Sequence, residues 1–264
     1  MLNNITLGQY YHADSQIHKL DPRIKIILTL IFLVWIFLVH NFIGYGFIII
    51  YLLIVMELSG LPLKLHIRSI RPLRFILIFT FIINLFFTST GNALLEWSFI
   101  KITDEGLWRS VFMAFRLALL VMGASIMTLT TSPIDLTDGL ERLLSPLRVI
   151  KFPAHELAMM MTIALRFIPT LLEETSKIMK AQMARGADFE SGRLFQRAKA
   201  MVPVLVPLFI SAFRHADELA MAMESRCYHG GEGRTRMKIL KLHMRDAIAV
   251  VSMAVLGALV IVFG

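Results

Sequence analysis

Cysteine, charge and catalytic motifs are what this 264-residue sequence has least of. Its single cysteine, Cys227, excludes an intrachain disulfide and makes a cysteine-based metal site untenable. No P-loop, Gly-x-Ser-x-Gly or His-Glu-x-x-His motif occurs. His155 beside Glu156 has no second ligand at metal spacing. The acidic pairs Glu173–Glu174 and Asp217–Glu218 fall on predicted helices, within reach of Lys177, Lys180 or Arg214. An enzyme is therefore disfavoured, and no cofactor is expected on the chain itself. The first 23 residues are polar, with His12, Asp14, His18, Lys19, Asp21 and Arg23, and lack an apolar core before a small-residue cleavage site. A cleaved signal peptide is not expected, and the N-terminus is expected to stay in the cytoplasm.

What the sequence has in abundance is apolar length. Hydrophobic residues make up 56% of the chain, charged residues only 17%, and the charges are clustered. Mean hydropathy is +0.68. Long uncharged runs alternating with basic segments are the pattern a bilayer imposes. The net charge of +8 could suggest nucleic acid, but a soluble nucleic-acid binder would not carry such runs. The basic balance fits positive-inside topology and a docking surface for cytoplasmic partners better.

Residues 26–56 carry no formal charge. One helix of that length would span about 46 Å, more than a ~30 Å hydrocarbon core needs. His40, Asn41, Gly44 and Gly46 supply turn chemistry inside it, so two spans are predicted, about 24–40 and 43–59. Lys64, Arg68, Arg71 and Arg74, with no acidic residue among them, read as a short cytoplasmic loop. A third span follows at 75–87, then a mixed external loop at 90–108 containing Glu96, Lys101, Asp104 and Glu105. A fourth span is predicted at about 109–131 and a fifth at 247–264, which places the C-terminus outside. Arg116, within the fourth span, is read as snorkelling towards the outer surface.

Residues 132–243 read as a helical cytoplasmic domain. Thr131-Ser132-Pro133 is a helix start, and Ser145-Pro146 closes that helix or opens another. Pro153 opens a long helix to about Gly186, kinked at Pro169. A second runs from about Gln196 to Cys227, with Pro203 and Pro207 near its start and Gly230, Gly231 and Gly233 after it. Two stretches, 157–165 and 201–213, are apolar but too short to span; the latter includes Leu205 and Leu208. They either pack on their own protein or present a face to another membrane protein. Many of the 16 methionines lie in these helices, Met159, Met160 and Met161 consecutively. Methionine there is either core filling or an adaptable binding surface.

Two helix endings match. One reads Ala184-Arg185-Gly186, the other Ser225-Arg226-Cys227-Tyr228. A guanidinium flanked by small residues can enter a groove and use its planar fork on carboxylates or carbonyls. The plainer alternative is a cation complementing a helix C-terminal dipole.

These segments, in this order, resemble the transmembrane T component of energy-coupling factor transporters, importers of vitamins and metal ions. The resemblance runs through His18 to Lys25, Thr130 to Pro133, Leu140-Glu141 to Leu147, Arg166-Phe167-Ile168-Pro169 with Glu173-Glu174 and Ala184-Arg185-Gly186, and Arg214 to Tyr228. It implies an all-α polytopic membrane protein of about five spans: four in 1–131, coupling helices in 132–243 and a last span in 244–264. It implies that Arg185 and Arg226 anchor the chain on two cytoplasmic ATP-binding subunits, which hold the ATP and magnesium. Ser225 and Cys227 depart from the family's alanine and glycine, which puts the geometry of that ending in question. It also implies that an apolar face including Met159, Met160, Met161, Leu205 and Leu208 takes a substrate-binding membrane subunit, in a multi-pass protein of the bacterial cell membrane. The rival from the residues alone is a self-contained secondary transporter, for which the spans offer only Asn84 and a few threonines.

Overall fold

The computed structural model describes residues 10–87, 93–97, 100–189, 194–230 and 240–263. They form α1 (Pro22–Leu38), α2 (Phe42–Ser59), α3 (Leu63–Ile70), α4 (Arg74–Phe87), a hairpin of β1 (Ala93–Trp97) and β2 (Ile100–Thr103), α5 (Asp104–Thr130), α6 (Pro133–Leu144), α7 (Ala154–Ala184), α8 (Leu194–Glu224) and α9 (Met244–Phe263).

Local chemistry sets the helix boundaries. Asp21 caps α1 by accepting the Arg23 N–H, and Pro22 occupies the first helical position, where its missing N–H is harmless. The turn at His40-Asn41 separates α1 from α2, and Gly60, left-handed at φ +64°, ends α2. The basic residues Lys64, Arg68, Arg71 and Arg74 are not in a loop. Lys64 and Arg68 lie on α3, Arg71 on a 3-10 turn at Arg71–Leu73 and Arg74 at the start of α4, so the helix begins before the predicted third span. Pro72 within that turn tolerates the bend without breaking the run. The expected external loop is also more ordered: β1 and β2 pair antiparallel, and α5 starts at Asp104. Thr103 caps α5 through the Gly106 N–H, and Asp104 and Glu105 in the first turn suit the positive helix end. The side chains of Glu96 and Lys101, part of that loop reading, lie outside the described residues, as do Gly231 and Gly233.

The chain divides into two compact units, one of residues 8–139 with 239–264, the other centred on residues 140–238. In the first, α1, α2, α5 and α9 enclose a core centred on Phe32, Ile36, Ile48, Leu52, Met253 and Val260. Two glycines let the helices approach closely. A Cβ at Gly123 of α5 would overlap the Phe32 ring, and one at Gly257 of α9 would overlap Trp35. Such small-residue contacts are how helices pack where lipid removes the hydrophobic drive between them. The same helices leave an apolar cavity of about 340 Å³, lined by residues such as Leu28, Phe32, Leu52, Ile126 and Met253.

Arg116 does not snorkel. Its guanidinium donates to the Val39 carbonyl at 2.8 Å and to the Tyr45 hydroxyl at 3.1 Å, with the Phe112 ring 5.1 Å away. The side chain ties α5 to the α1–α2 turn, because the last carbonyl of α1 has no intrahelical partner and a half-buried cation satisfies it.

In the second unit α7 and α8 run antiparallel. Gln182 reaches the Pro203 carbonyl, Glu174 meets Ser211 and His215, and Phe167 stacks on His215. Among its described residues only Ala154, Ala158 and Val204 are buried hydrophobics. A core this thin leaves most of both helices uncovered. Among the described residues six helices are long and apolar enough to cross a membrane, four of them in the first unit (α2, α3 through α4, α5 and α9). The other two are α7 and α8, which also carry Arg166, Glu173, Glu174, Lys177, Lys180, Arg214, Asp217 and Glu218.

Candidate docking helices and their anchors

The two arginine endings share one backbone design. At the end of α7 the Ala187 N–H donates to Gln182 O at 3.0 Å and the Gly186 N–H to Met183 O at 2.9 Å, with Gly186 at φ +90°. At the end of α8 the Tyr228 N–H donates to Met223 O at 3.1 Å and the Cys227 N–H to Glu224 O at 2.9 Å, with Cys227 at φ +56°. Both are Schellman endings, in which a left-handed residue turns the chain back over orphan carbonyls. Each arginine occupies the same slot, immediately before the left-handed residue. Cys227 therefore fills the positive-φ slot that glycine fills at 186, at φ +56° rather than +90° and at a steric penalty of roughly 1 kcal/mol. The departure from glycine leaves the geometry of the ending intact.

Arg185 and Arg226 are both exposed, and neither forms an ion pair among the described residues. Because α7 and α8 are antiparallel, the two arginines lie at opposite ends of the pair, with roughly 40 Å of helix between them at 1.5 Å per residue. Ala184, Gly186, Ser225 and Cys227 around them are exposed as well.

The apolar stretches do not fill a core. Met160, Met161, Leu205, Val206, Phe209 and Phe213 are exposed, Phe213 by 68%, while Met159 and Leu208 are half-buried. Exposed apolar surface of this extent is what lipid or a partner protein covers. Of the two explanations for methionine here, core filling fits Met159, whose sulfur accepts the Tyr228 hydroxyl at 2.9 Å, and an open surface fits Met160 and Met161.

The charged pairs follow a pattern the sequence did not disclose. Glu174 pairs across to α8, accepting from Ser211 Oγ and His215 Nε2, both at 2.8 Å, rather than along its own helix. The Glu174 carboxylate raises the pKa of His215, and the imidazole lowers that of Glu174. Glu218 approaches His215 Nδ1 at 3.6 Å. His155 is held at Nδ1 by Glu141 at 2.9 Å. Among the described residues no group of three His, Cys, Asp or Glu is placed to hold a metal ion.

A second cluster, in the helical bundle, was only partly visible in the sequence. Asp246 is buried and caps the start of α9 by accepting the His243 N–H at 2.8 Å. Its other oxygen accepts the Asp21 N–H at 2.9 Å. Lys25, also buried, donates to Thr130 O at 2.9 Å and to His18 O at 3.2 Å. Asp21 holds the Arg23 guanidinium through both carboxylate oxygens, at 2.8 and 3.1 Å. These contacts fasten the start of α1, the end of α5 and the start of α9 at one end of the bundle. His18 to Lys25 could be singled out as a motif, but nothing in the sequence pairs Asp21 with a residue 225 positions away.

Fold and site together define a polytopic helical membrane protein with a long, sparsely covered helix pair ending in two exposed arginines. The CbiQ family, described as cobalt transport protein, matches residues 13–238. A Clostridium kluyveri protein named energy-coupling factor transporter transmembrane protein EcfT is 55% identical over 250 residues, 94% of this chain and 93% of the relative. Proteins of the same name from Thermosediminibacter oceani (56% over 256 residues; 97% of this chain, 96% of the relative) and Bacillus subtilis (45% over 259 residues; 98% of each) are also similar. The chain belongs to this family, the transmembrane T components of energy-coupling factor transporters.

Proposed function

We propose that this chain transmits ATP-driven motion from two cytoplasmic ATP-binding subunits to a substrate-binding membrane subunit, for uptake of a vitamin or other micronutrient. The observation that carries the reading is the pair of matching, exposed Schellman endings at opposite ends of α7 and α8. A single cation at a helix terminus is explained by the helix dipole. Two matching presentations, each with a guanidinium that forms no ion pair among the described residues, fit two equivalent grooves.

In this arrangement α7 and α8 lie on the cytoplasmic side despite their apolar length, because spanning the bilayer would bring their clustered charges into hydrocarbon. The N-terminus lies on the same side, as do Lys64, Arg68, Arg71 and Arg74, in keeping with the positive-inside rule. The exposed apolar face around Met160, Met161, Leu205 and Phe209 takes the substrate-binding subunit. Relative movement of the two grooves displaces Arg185 and Arg226, and the helix pair carries that displacement to the face. This chain contributes no catalytic group; hydrolysis of ATP belongs to the partners.

A self-contained secondary transporter is less well supported. Asn84 uses its amide on Thr80 O of its own helix at 2.8 Å, and the cavity in the bundle is lined mainly by apolar side chains. Copurification and mutation test the proposal together. Two ATPases and a small hydrophobic protein should copurify with the chain. Arg185→Ala or Arg226→Ala should weaken their binding by roughly 3–5 kcal/mol if each guanidinium is desolvated against a partner charge. A double alanine variant that retains both ATPases and normal ATP-driven uptake refutes the reading.

A further inference from the structure

The two docking ends share a backbone but differ in the residue that comes after the left-handed one. Beyond Gly186 stands Ala187, whose methyl group can neither donate nor accept a hydrogen bond. Beyond Cys227 stands Tyr228, half-buried, whose hydroxyl donates to Met159 Sδ at 2.9 Å and lies 3.5 Å from His155 Nε2. His155 is held from its other side, with Nδ1 at 2.9 Å from Glu141 Oε1. A carboxylate oxygen can only accept, so Nδ1 carries a proton, and the imidazole is oriented with its Nε2 edge beside the Tyr228 hydroxyl. Ala154 and Ala158, near His155 on α7, are two of the three buried hydrophobics among the described residues of this unit. The Tyr228 contact therefore sits beside one of the few buried points of an otherwise open helix pair.

We propose that Tyr228 is a mechanical tether, fixing the Arg226 end of α8 to the first turns of α7. The proposal rests on the docking reading above and extends it. With the tether in place α7 is loaded at both ends, directly through Arg185 at its C-terminus and through Tyr228 near its N-terminus. Pro169 lies between these points and leaves one carbonyl of α7 without its helical hydrogen bond, which makes it the natural place for bending. Met160 and Met161 lie on the Tyr228 side of that point, one and two residues beyond the tether's acceptor. Displacement of Arg226 thus reaches Met160 and Met161 directly, whereas displacement of Arg185 reaches them only across the proline; Leu205 and Phe209, opposite the Gln182 and Glu174 turns of α7, lie on the Arg185 side. The two ATPase subunits would act on inequivalent levers even though their docking sequences match.

The test uses the chain assembled with both ATPase subunits. Nitroxides are introduced through a ketone-bearing amino acid at exposed positions 156 and 177, on either side of Pro169, leaving Cys227 untouched. Their separation is measured by pulsed electron paramagnetic resonance with and without Mg·ATP. The unmodified sequence should show an ATP-dependent change in that distance. Tyr228→Phe, which removes only the hydroxyl, should keep the ATPases bound and hydrolysing ATP while reducing the change to less than half. His155→Ala should reduce it in the same direction by a smaller amount. The same change in Tyr228→Phe as in the unmodified chain, or no change in the latter, overturns the tether. Failure of Tyr228→Phe to assemble also counts against it, because the contact is assigned to motion and not to docking. Arg226→Ala separates the two ideas. If that variant still binds both ATPases the docking reading falls, whereas if it loses one while Tyr228→Phe moves normally, only the tether falls.

Discussion

Gly186 and Cys227 occupy equivalent slots with different backbone angles, which allows a quantitative test of the helix-ending design. At Gly186 φ is +90°, beyond the left-handed well near +57° that other residues can enter. A Cβ there meets nothing within 4 Å, so Gly186→Ala introduces backbone strain and no clash. That strain is roughly 1–2 kcal/mol, and 1.4 kcal/mol corresponds to a tenfold change in an equilibrium. The Gly186 and Ala187 amides, both donors in the ending, should therefore exchange with solvent about tenfold faster in Gly186→Ala. At Cys227 φ is +56°, within the left-handed well, so Cys227→Gly relieves about 1 kcal/mol. Glycine also frees the frayed state by about 0.5–1 kcal/mol, which leaves a net gain of about 0.5 kcal/mol or less. The Cys227 and Tyr228 amides should exchange no faster than before, and at most about twofold slower. Hydrogen exchange of the chain in detergent, read by mass spectrometry on peptides covering 182–189 and 223–230, measures both. Unchanged exchange in Gly186→Ala, or a marked acceleration in Cys227→Gly, would refute the assignment of these ends to a common motif.

Asp246→Ala strips two N–H groups, those of Asp21 and His243, of their acceptor and should destabilise the bundle by about 2–4 kcal/mol, seen as a lower thermal unfolding midpoint in detergent. Asp246→Asn, which keeps one oxygen, should lose less. Gly257→Leu drives a side chain into the Trp35 ring and should cost about 1–3 kcal/mol in the same assay, whereas Gly46→Leu, with open space around it, should be near neutral. The His215–Glu174 pair should make the α7–α8 contact pH-dependent. His215, raised above its ordinary 6.5 by Glu174, stabilises the contact fully below that value and loses the contribution as pH rises through the elevated pKa. Glu174, lowered from 4.5, contributes above that value and loses its share as pH falls through the depressed pKa. Nitroxide distances between α7 and α8 should therefore be narrowest between these two ordinary values and broaden towards alkaline pH. His215→Ala should abolish that alkaline broadening.

Much of the helical layout is readable along the chain because a bilayer punishes charge and unpaired backbone at every position. The predicted spans at 24–40, 43–59 and 247–264 lie close to α1, α2 and α9. The third and fourth spans start later than the helices that contain them. Basic residues and a Thr103 cap extend α3–α4 and α5 beyond the apolar window, and hydrophobicity does not register helix in charged segments. The arginine endings are visible as repeated small-Arg-small patterns. Whether Cys227 would adopt a left-handed conformation is not, since that depends on the chain turning back over α8.

Composition alone determined that this is a helical membrane protein with a charged, methionine-rich segment outside its main bundle, because hydrophobic length and charge clustering act locally. Tertiary structure decided which charges meet. Asp246 caps its own helix and the start of α1, Lys25 closes the end of α5, Arg116 ties α5 to the α1–α2 turn, and Tyr228 reaches back to Met159. Apart from Asp246 on its own helix, these contacts join residues 69 to 225 positions apart. Their energy depends on hydrogen-bond distances of about 3 Å, set by the packing of several helices at once and written in no single segment.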